Sequence, residues 1–177
     1  MRALLVAALV LGLGCGGGHG GTMVSFCLNF TGAQAPAAGR VVARLASGGS
    51  CAARFVEIVV TDVADVFSGS FTVNFDPTKV AFGSASFQGS FLTAGGVQVN
   101  VVQTNPQPGS VTVGISRFGV ASGVDVIGSQ VLVRLSFAPV GAGAATLTLA
   151  NGQLFDSGTP PQPKSGLTWS GGTFQVQ

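Results

Sequence analysis

Charged side chains are scarce in this sequence, which has eight Lys or Arg and six Asp or Glu among 177 residues. Apolar residues make up 46% of the chain. This balance excludes a disordered protein, because disordered chains combine high charge with low hydrophobicity. The basic residues occur singly, and they form no run that could neutralise several phosphates. We therefore expect a folded protein that does not bind nucleic acid.

Groups suited to catalysis are also lacking, since the chain has one Glu, one His and no Tyr. A glycosidase uses two carboxylates on either side of the scissile bond. Glu57 is predicted to be an outward-facing residue of a strand, where it would pair with an Asp only by accident of folding. A Ser-His-Asp relay would depend on His19, which lies in a run of glycines near the N-terminus. The composition therefore predicts that the protein is not an enzyme.

Metal ligands are few as well. Zinc requires four ligands as a rule, and a single histidine and cysteines without Cys-x-x-Cys spacing do not supply them. Asp62 and Asp65 lie in a turn predicted from Thr61 to Val66, where calcium could use both carboxylates together with main-chain carbonyls. Asp in a turn more often accepts main-chain hydrogen bonds, and we favour that interpretation. We therefore expect no cofactor.

Long hydrophobic runs are absent beyond a short one from Ala3 to Leu13. This run has roughly half the length that a membrane-spanning helix needs, and no later segment is longer. Arg2 precedes it and small residues follow it, which is the pattern of an export signal. Residues 1–14 are therefore predicted to be a signal peptide.

The sequence Leu-Gly-Leu-Gly-Cys at residues 11–15 resembles the lipobox of bacterial lipoproteins. The resemblance implies that Cys15 is acylated and becomes the new N-terminus, with the Gly-rich residues 15–22 as a tether. More than one acyl chain is required for stable attachment to a membrane. The favoured interpretation is a lipoprotein of the outer membrane or cell surface that contacts the membrane through its lipid only. The alternative is ordinary secretion, with Cys15 a spare thiol.

Two cysteines, Cys27 and Cys51, remain after the leader is removed. An even pair of cysteines in an oxidising compartment predicts a disulfide. Two buried free thiols are the alternative, because the sequence does not show whether the two Cα atoms come close enough.

From about Met23 onward, apolar and polar residues alternate with a period of two, which is typical of antiparallel strands. In the clearest run, Phe71, Val73 and Phe75 share one face, and a turn follows at residues 76–79. The pattern predicts an all-β, nine-stranded sandwich or jelly roll over residues 40–177. Residues 23–39 form either an N-terminal arm or an extra strand. The predicted strands cover residues 40–45, 55–61, 67–75, 80–82, 97–103, 110–116, 129–138, 144–149, a short piece near 154–155, and 166–176. The Pro-rich residues 104–109 are predicted to form the hairpin connection between two of them.

Three segments of this domain resemble the cohesin module, a nine-stranded jelly roll known from bacterial cellulosome scaffolds. Phe67 to Val80 (FSGSFTVNFDPTKV) is similar to the family pattern of a strand followed by an aromatic-Asp-Pro turn. Val131 to Ala138 (VLVRLSFA) with Ala145 to Leu149 is similar to a later strand pair, and Trp169 to Val176 (WSGGTFQV) to the closing strand.

The resemblance implies a non-catalytic module that binds a dockerin, a paired calcium-loop module on another protein. Cohesins use the flat face formed by their third, fifth, sixth and eighth strands, and they are associated with polysaccharide degradation. The corresponding face of this chain is predicted to be polar and nearly uncharged. It comprises Ser70, Thr72, Asn74, Gln98, Asn100, Thr112, Gly114, Ser116, Arg134 and Ser136.

Two other functions stay open beside the recruitment of an extracellular protein partner. Direct binding of a polysaccharide would depend on exposed aromatic rings. We expect Trp169 to pack in the core or at its edge, while Phe87, Phe91 and Phe118 lie near loops and are candidates for partial exposure. The third possibility is a structural lipoprotein of the cell envelope.

Overall fold

The computed structural model describes residues 26–119 and 121–177. The predicted signal peptide, Cys15 and the tether at residues 15–22 lie outside the described residues and stay predictions. The described chain forms eleven strands and one short 3₁₀ segment. The strands are β1 (Leu28–Gly32), β2 (Arg40–Leu45), β3 (Arg54–Val66), β4 (Ser68–Asn74), β5 (Val80–Ser86), β6 (Val99–Gln107), β7 (Ser110–Arg117), β8 (Val124–Pro139), β9 (Gly143–Phe155), β10 (Thr168–Ser170) and β11 (Gly172–Val176), and the 3₁₀ segment is Phe91–Gly96.

The strands are arranged in two sheets that pack face to face. One sheet has six strands in the order β1-β11-β9-β4-β7-β6, and the other has five in the order β10-β2-β3-β8-β5. All neighbouring strands are antiparallel except β10 and β2, which are parallel. The all-β jelly-roll sandwich is thus confirmed. No helix in this part of the chain is long and apolar enough to cross a membrane.

Alternation along each strand directs apolar side chains from both sheets into one core. In β4, Phe71 and Val73 are almost fully buried between the sheets. The partly buried ring of Trp169, on the edge strand β10, lies 5.5 Å from that of Phe71, measured between centroids, so its predicted packing in the core or at its edge is confirmed. Burial of each large apolar side chain contributes about 1.5–3 kcal/mol to stability, which makes this shared core the main stabilising feature of the sandwich.

The chain has eleven strands rather than nine because of additions at both ends of the domain. β1 forms within residues 23–39 and pairs with β11. Residues 166–176, predicted as one strand, are divided at Gly171 into β10 and β11, which join different sheets. A Cβ atom at Gly171 would collide with the carbonyl of Leu147, so this crossing from one sheet to the other requires a glycine.

Residues 104–109 do join the two antiparallel strands β6 and β7 as a hairpin, but their prediction as connection throughout was wrong, because β6 continues to Gln107 and only a tight turn follows. Thr104 pairs with Thr112 and Gln107 with Ser110, and the register shifts between these pairs. Proline is tolerated at edge strands and at bulges, where a missing ladder hydrogen bond costs little. β6 is the edge strand of its sheet, which explains how a strand accommodates this segment.

The predicted turn at residues 76–79 is confirmed. The carboxylate of Asp76 accepts hydrogen bonds from the main-chain N–H of Thr78 at 2.8 Å and from its hydroxyl at 2.7 Å. These bonds lower the pKa of Asp76, and they fix the bend that leads from β4 into β5.

The disulfide between Cys27 and Cys51 is present, so the free-thiol alternative was wrong. Cys27 precedes β1, and its N–H and C=O both pair with the main chain of Gln177, at 2.7 and 3.0 Å. Cys51 lies in the connection between β2 and β3, so the bond joins the edge of one sheet to a turn of the other. Such a bond fits a protein exported to an oxidising compartment.

Asp62 and Asp65 lie within β3 rather than in a turn. Both have positive φ angles, 50° and 49°, at places where the register of β3 against β8 shifts. Asp62 accepts a hydrogen bond from the N–H of Gly128 at 2.7 Å, as the favoured interpretation predicted. Asp65 also accepts a main-chain hydrogen bond, from the N–H of Ser157 at 3.4 Å, together with one from the hydroxyl of Ser157 at 2.7 Å, and it lies 3.8 Å from the ammonium of Lys164. The two carboxylates therefore bind different segments of the chain.

Replacing both Cys27 and Cys51 by Ser should lower the free energy of unfolding by about 2–5 kcal/mol, because the unfolded chain regains the freedom that the bond removes. Urea denaturation of the two proteins measures this loss. A reductant should lower the midpoint of the wild-type protein and leave that of the double variant unchanged. Equal midpoints for both proteins without reductant would contradict the stabilising role of the bond.

The pKa of Asp65 is lowered, chiefly by the Ser157 hydroxyl. A carboxyl whose pKa is depressed in the folded state stabilises it above the unfolded pKa, and this contribution disappears as the pH falls through the folded pKa. The stability difference between wild type and Asp65→Asn should therefore shrink when urea titrations are moved from about pH 6 to about pH 3. Ser157→Ala should lose part of the same pH dependence. A difference that does not change with pH would refute this assignment.

Candidate partner-binding face

The solvent-facing side chains of β9, β4, β7 and β6 form a continuous polar surface, which we call the outer face. It exists because each of these strands directs its alternate, apolar residues into the core. The strand registers arrange its side chains in four rows across the sheet. From β9 to β6, the first row holds Phe155, Ser68, Ser116 and Asn100, the second Gln153, Ser70, Gly114 and Val102, the third Ala150, Thr72, Thr112 and Thr104, and the fourth Thr148, Asn74, Ser110 and Gln107. Ser110 is the one of these that is almost fully buried, at 6% exposure.

Most of the residues predicted for partner binding come together on this face. Seven of them belong to its rows, and Gln98 is exposed one residue before β6 begins. The seven are Ser70, Thr72, Asn74, Asn100, Thr112, Gly114 and Ser116. The sequence had therefore placed the contributions of β4, β6 and β7 on one surface, and their role in binding stays a prediction.

Arg134 and Ser136 do not belong to this surface, so their inclusion was wrong. Both lie on β8, which pairs with β3 and β5 in the five-stranded sheet on the opposite side of the sandwich. Alternation shows which residues of one strand share a face, but it does not show which sheet the strand joins. The strand that completes the outer face is β9, which pairs with β4.

The contribution of β9 was missed by the sequence reasoning. The alternation of Thr146 and Thr148 with buried Leu147 was a signal that could have identified it. The residues that β9 adds to the outer face are Thr148, Ala150, Gln153 and Phe155.

Arg134 takes part in an ion-pair cluster instead. Its guanidinium donates to Glu57 at 2.7 Å, and the guanidinium of Arg44 donates to the other oxygen of the same carboxylate at 3.0 Å. It also lies 5.7 Å from the centroid of the Phe55 ring. Glu57 does point away from the core, as predicted, yet only 6% of it is exposed because the two arginines cover it. This carboxylate is fully engaged in structural contacts.

The outer face carries no ionisable side chain in any of its four described rows. Some of its hydroxyls bond within the sheet: those of Thr72 and Thr112 lie 3.2 Å apart, and that of Ser116 donates to the carbonyl of Arg117. The guanidinium of Arg117 itself is buried and donates to the carbonyls of Leu92 and Ala94 in the 3₁₀ segment. What this face can offer is neutral hydrogen bonding and shape.

The first two rows enclose a shallow depression of about 260 Å³. Gly114 forms its floor, because this position in the second row has no side chain. Val102, which is 54% exposed, and Phe155 lie on either side of it. The face therefore combines a polar surface with one small apolar recess.

The three phenylalanine rings considered for sugar binding differ in their exposure to solvent. Phe91 is 7% exposed, so its expected exposure was wrong, while Phe87 and Phe118 are 48% and 69% exposed. Neither of the two exposed rings belongs to the rows of the outer face. They follow β5 and β7 as single rings, each outside the aromatic pairs of the described core.

No protein-family model matches the chain, and no curated protein matches its sequence. Several solved structures do resemble it. The second type II cohesin module of the ScaA scaffoldin from Acetivibrio cellulolyticus has a TM-score of 0.56 at 13% identity, over 84% of this chain and 88% of that one. The sixth cohesin of scaffoldin B from the same organism, in complex with a mutant Cel5 dockerin, has a TM-score of 0.54 at 15% identity, over 82% and 96%.

A cohesin module from a family 33 glycoside hydrolase of Clostridium perfringens is also similar, with a TM-score of 0.51 at 11% identity. The match covers 86% of this chain and 93% of that one. At such identities the likeness is one of fold. The chain has the fold of the cohesin modules, as the turn and strand motifs of its sequence predicted.

Glu57→Ala should lower the free energy of unfolding by about 2–4 kcal/mol, because Arg134 would remain largely buried without its carboxylate. We expect less than the full value of a buried pair, since 43% of the Arg44 side chain is exposed. Urea denaturation measures the loss. The double variant Glu57→Leu, Arg134→Met should recover part of it, and a single variant as stable as wild type would contradict the structural role of the cluster.

Proposed function

We propose that this chain is a non-catalytic module that recruits a dockerin-like protein partner through its outer face. The observation that carries the proposal is the face itself: four adjacent strands of a cohesin fold expose a continuous polar surface. The similar sixth cohesin of scaffoldin B supports it, because that module was solved in complex with a dockerin. A flat surface of hydroxyl and amide groups suits contact with another folded protein, whose interface core is typically depleted in charge.

The positions of the carboxylates support a role without catalysis. Within the described residues, Glu57 is held by two arginines, and Asp62, Asp65 and Asp76 accept hydrogen bonds that maintain strands and turns. A pair of carboxylates acting on one bond would have to be free and to face a common cleft. These four groups are instead part of the scaffold.

We further propose that the module acts at the cell surface, attached through an acylated Cys15. The disulfide supports export, because it requires an oxidising compartment. β1 begins 13 residues after Cys15, which leaves a segment long enough to separate the sandwich from a membrane. A link to polysaccharide degradation is supported by the similar cohesin that belongs to a glycoside hydrolase.

Calorimetric titration tests the proposal, with each dockerin module encoded in the genome of the source organism produced separately as a probe. At least one should bind, and Thr72→Arg should raise its Kd at least about tenfold, because a charge would be buried without a partner. Ala81→Arg, an exposed position on the five-stranded sheet, is the matched control and should bind as wild type does.

Equal effects of the two arginine variants would contradict a role for the outer face. Retardation of the protein by polysaccharide affinity gels, with no dockerin bound, would favour direct carbohydrate binding instead. Failure to bind either class would leave the structural envelope protein as the better description.

A further inference from the structure

We infer that the outer face recognises an uncharged protein surface and seats one of its aliphatic side chains in the depression above Gly114. The inference rests on the proposed function, because it specifies the partner chemistry of the same face. Three observations support it: the fold does not require a glycine at position 114, the residues around the depression are apolar or neutral, and the four rows carry no charge.

Neither the backbone conformation nor the packing of the sandwich requires a glycine at position 114. Gly69, which precedes Ser70, the cross-strand partner of Gly114 on β4, is different: a Cβ atom there would lie 2.7 Å from a methyl group of Leu154 in the core. Among the described glycines whose added Cβ would meet nothing within 4 Å, all except Gly114 have a positive φ angle. A glycine inside a strand weakens the strand. The missing side chain at position 114 therefore serves something outside the sandwich.

What the glycine creates is the recess. In the second row, Gly114 lies between Ser70 on β4 and Val102 on β6, so the surface drops between two side chains. A side chain from a partner can approach the main chain of β7 there. The neighbouring rows have no such gap, because β7 contributes the side chain of Ser116 to the first row and that of Thr112 to the third.

The rim of the recess determines what fits. Val102 is more than half exposed, and Phe155 presents one partly buried ring on the opposite side. An exposed valine costs free energy that a bound apolar group would recover. Around these two residues lie neutral hydroxyl and amide groups. The recess therefore suits the end of a Leu, Ile or Val side chain surrounded by polar, uncharged neighbours.

Absence of charge excludes a charged partner surface. A Lys or Glu of the partner would lose its hydration at the face and find no opposite charge in the four rows, which is unfavourable. The nearest basic group in β7, that of Arg117, already donates to two carbonyls on the inner side. The opposite sheet, in contrast, carries the cluster of Glu57 with its two arginines.

A saccharide is the less suitable occupant. Sugar rings are commonly held on open aromatic faces, and Phe155 is the one aromatic residue in the described rows of this face. It is partly buried, and the exposed ring of Phe118 follows β7 outside the rows. The observations favour an aliphatic side chain of a protein.

The test fills the recess. Gly114→Val places methyl groups in space that is empty, in a backbone conformation that any residue adopts, so the sandwich should fold with an unchanged or higher melting temperature. The variant should bind the dockerin module identified above at least about tenfold more weakly than wild type. Thr173→Val, on β11 of the same sheet, changes no volume and should bind as wild type does.

Salt provides a second readout. Because neither surface would carry charge at the centre of the contact, the Kd should change less than about twofold between roughly 50 and 500 mM NaCl. A Kd that rises at least about tenfold over this range would overturn the neutral-partner inference.

The remaining outcomes separate the inference from the proposed function. If a dockerin module binds and Gly114→Val binds it equally well, the recess is not used, although the proposed function holds. If no dockerin module binds the wild-type protein, the proposed function fails and the inference with it. If soluble cello-oligosaccharides bind wild type and Gly114→Val abolishes their binding, the occupant is a sugar and the inference is wrong.

Discussion

Phe137 lies at the centre of the contact between the two sheets, and the rest of the structure depends on that contact. Its ring is 4.8 Å from that of Phe174 and 5.6 Å from those of Phe75 and Phe82, measured between centroids. These neighbours come from different strands or strand ends, so one aromatic cluster holds both sheets together. Each strand directs its apolar side chains into this core, and because side chains alternate along a strand, its polar side chains point to the opposite side. The outer face is formed by the polar side chains of four adjacent strands that alternate in this way.

Few charges remain to be placed once the core is formed, and most of them have structural partners. Glu57 is covered by two arginines, Asp65 binds the segment around Ser157 and Lys164, and the guanidinium of Arg117 holds the 3₁₀ segment. Charge is therefore used at sheet borders and on the five-stranded side, while the outer face stays neutral. A neutral surface avoids the desolvation of ions, so a partner can be recognised there by shape and hydrogen bonds.

Several elements could be predicted because they depend on neighbouring residues. The alternation in β4 placed Phe71 inward and Thr72 outward, and the Asp76 turn followed from local hydrogen bonding. The disulfide followed from an even cysteine pair. Other features depend on partners far away along the chain. The division at Gly171, the extension of β6 to Gln107 and the assignment of β8 to the other sheet were all missed for that reason.

By itself, the sequence determined the all-β class, the jelly-roll resemblance, the low charge that argues against catalysis, and the polar side of each strand. These properties are set by composition and by a period of two, which every strand carries within its own residues. Only the tertiary structure decided which strands share a sheet. In the tertiary structure Arg134 lies on the opposite side of the sandwich and β9 pairs with β4. The strand registers also align the rows that leave a gap at Gly114. Sheet membership and register arise from pairing between distant strands, and a single strand does not encode its neighbour.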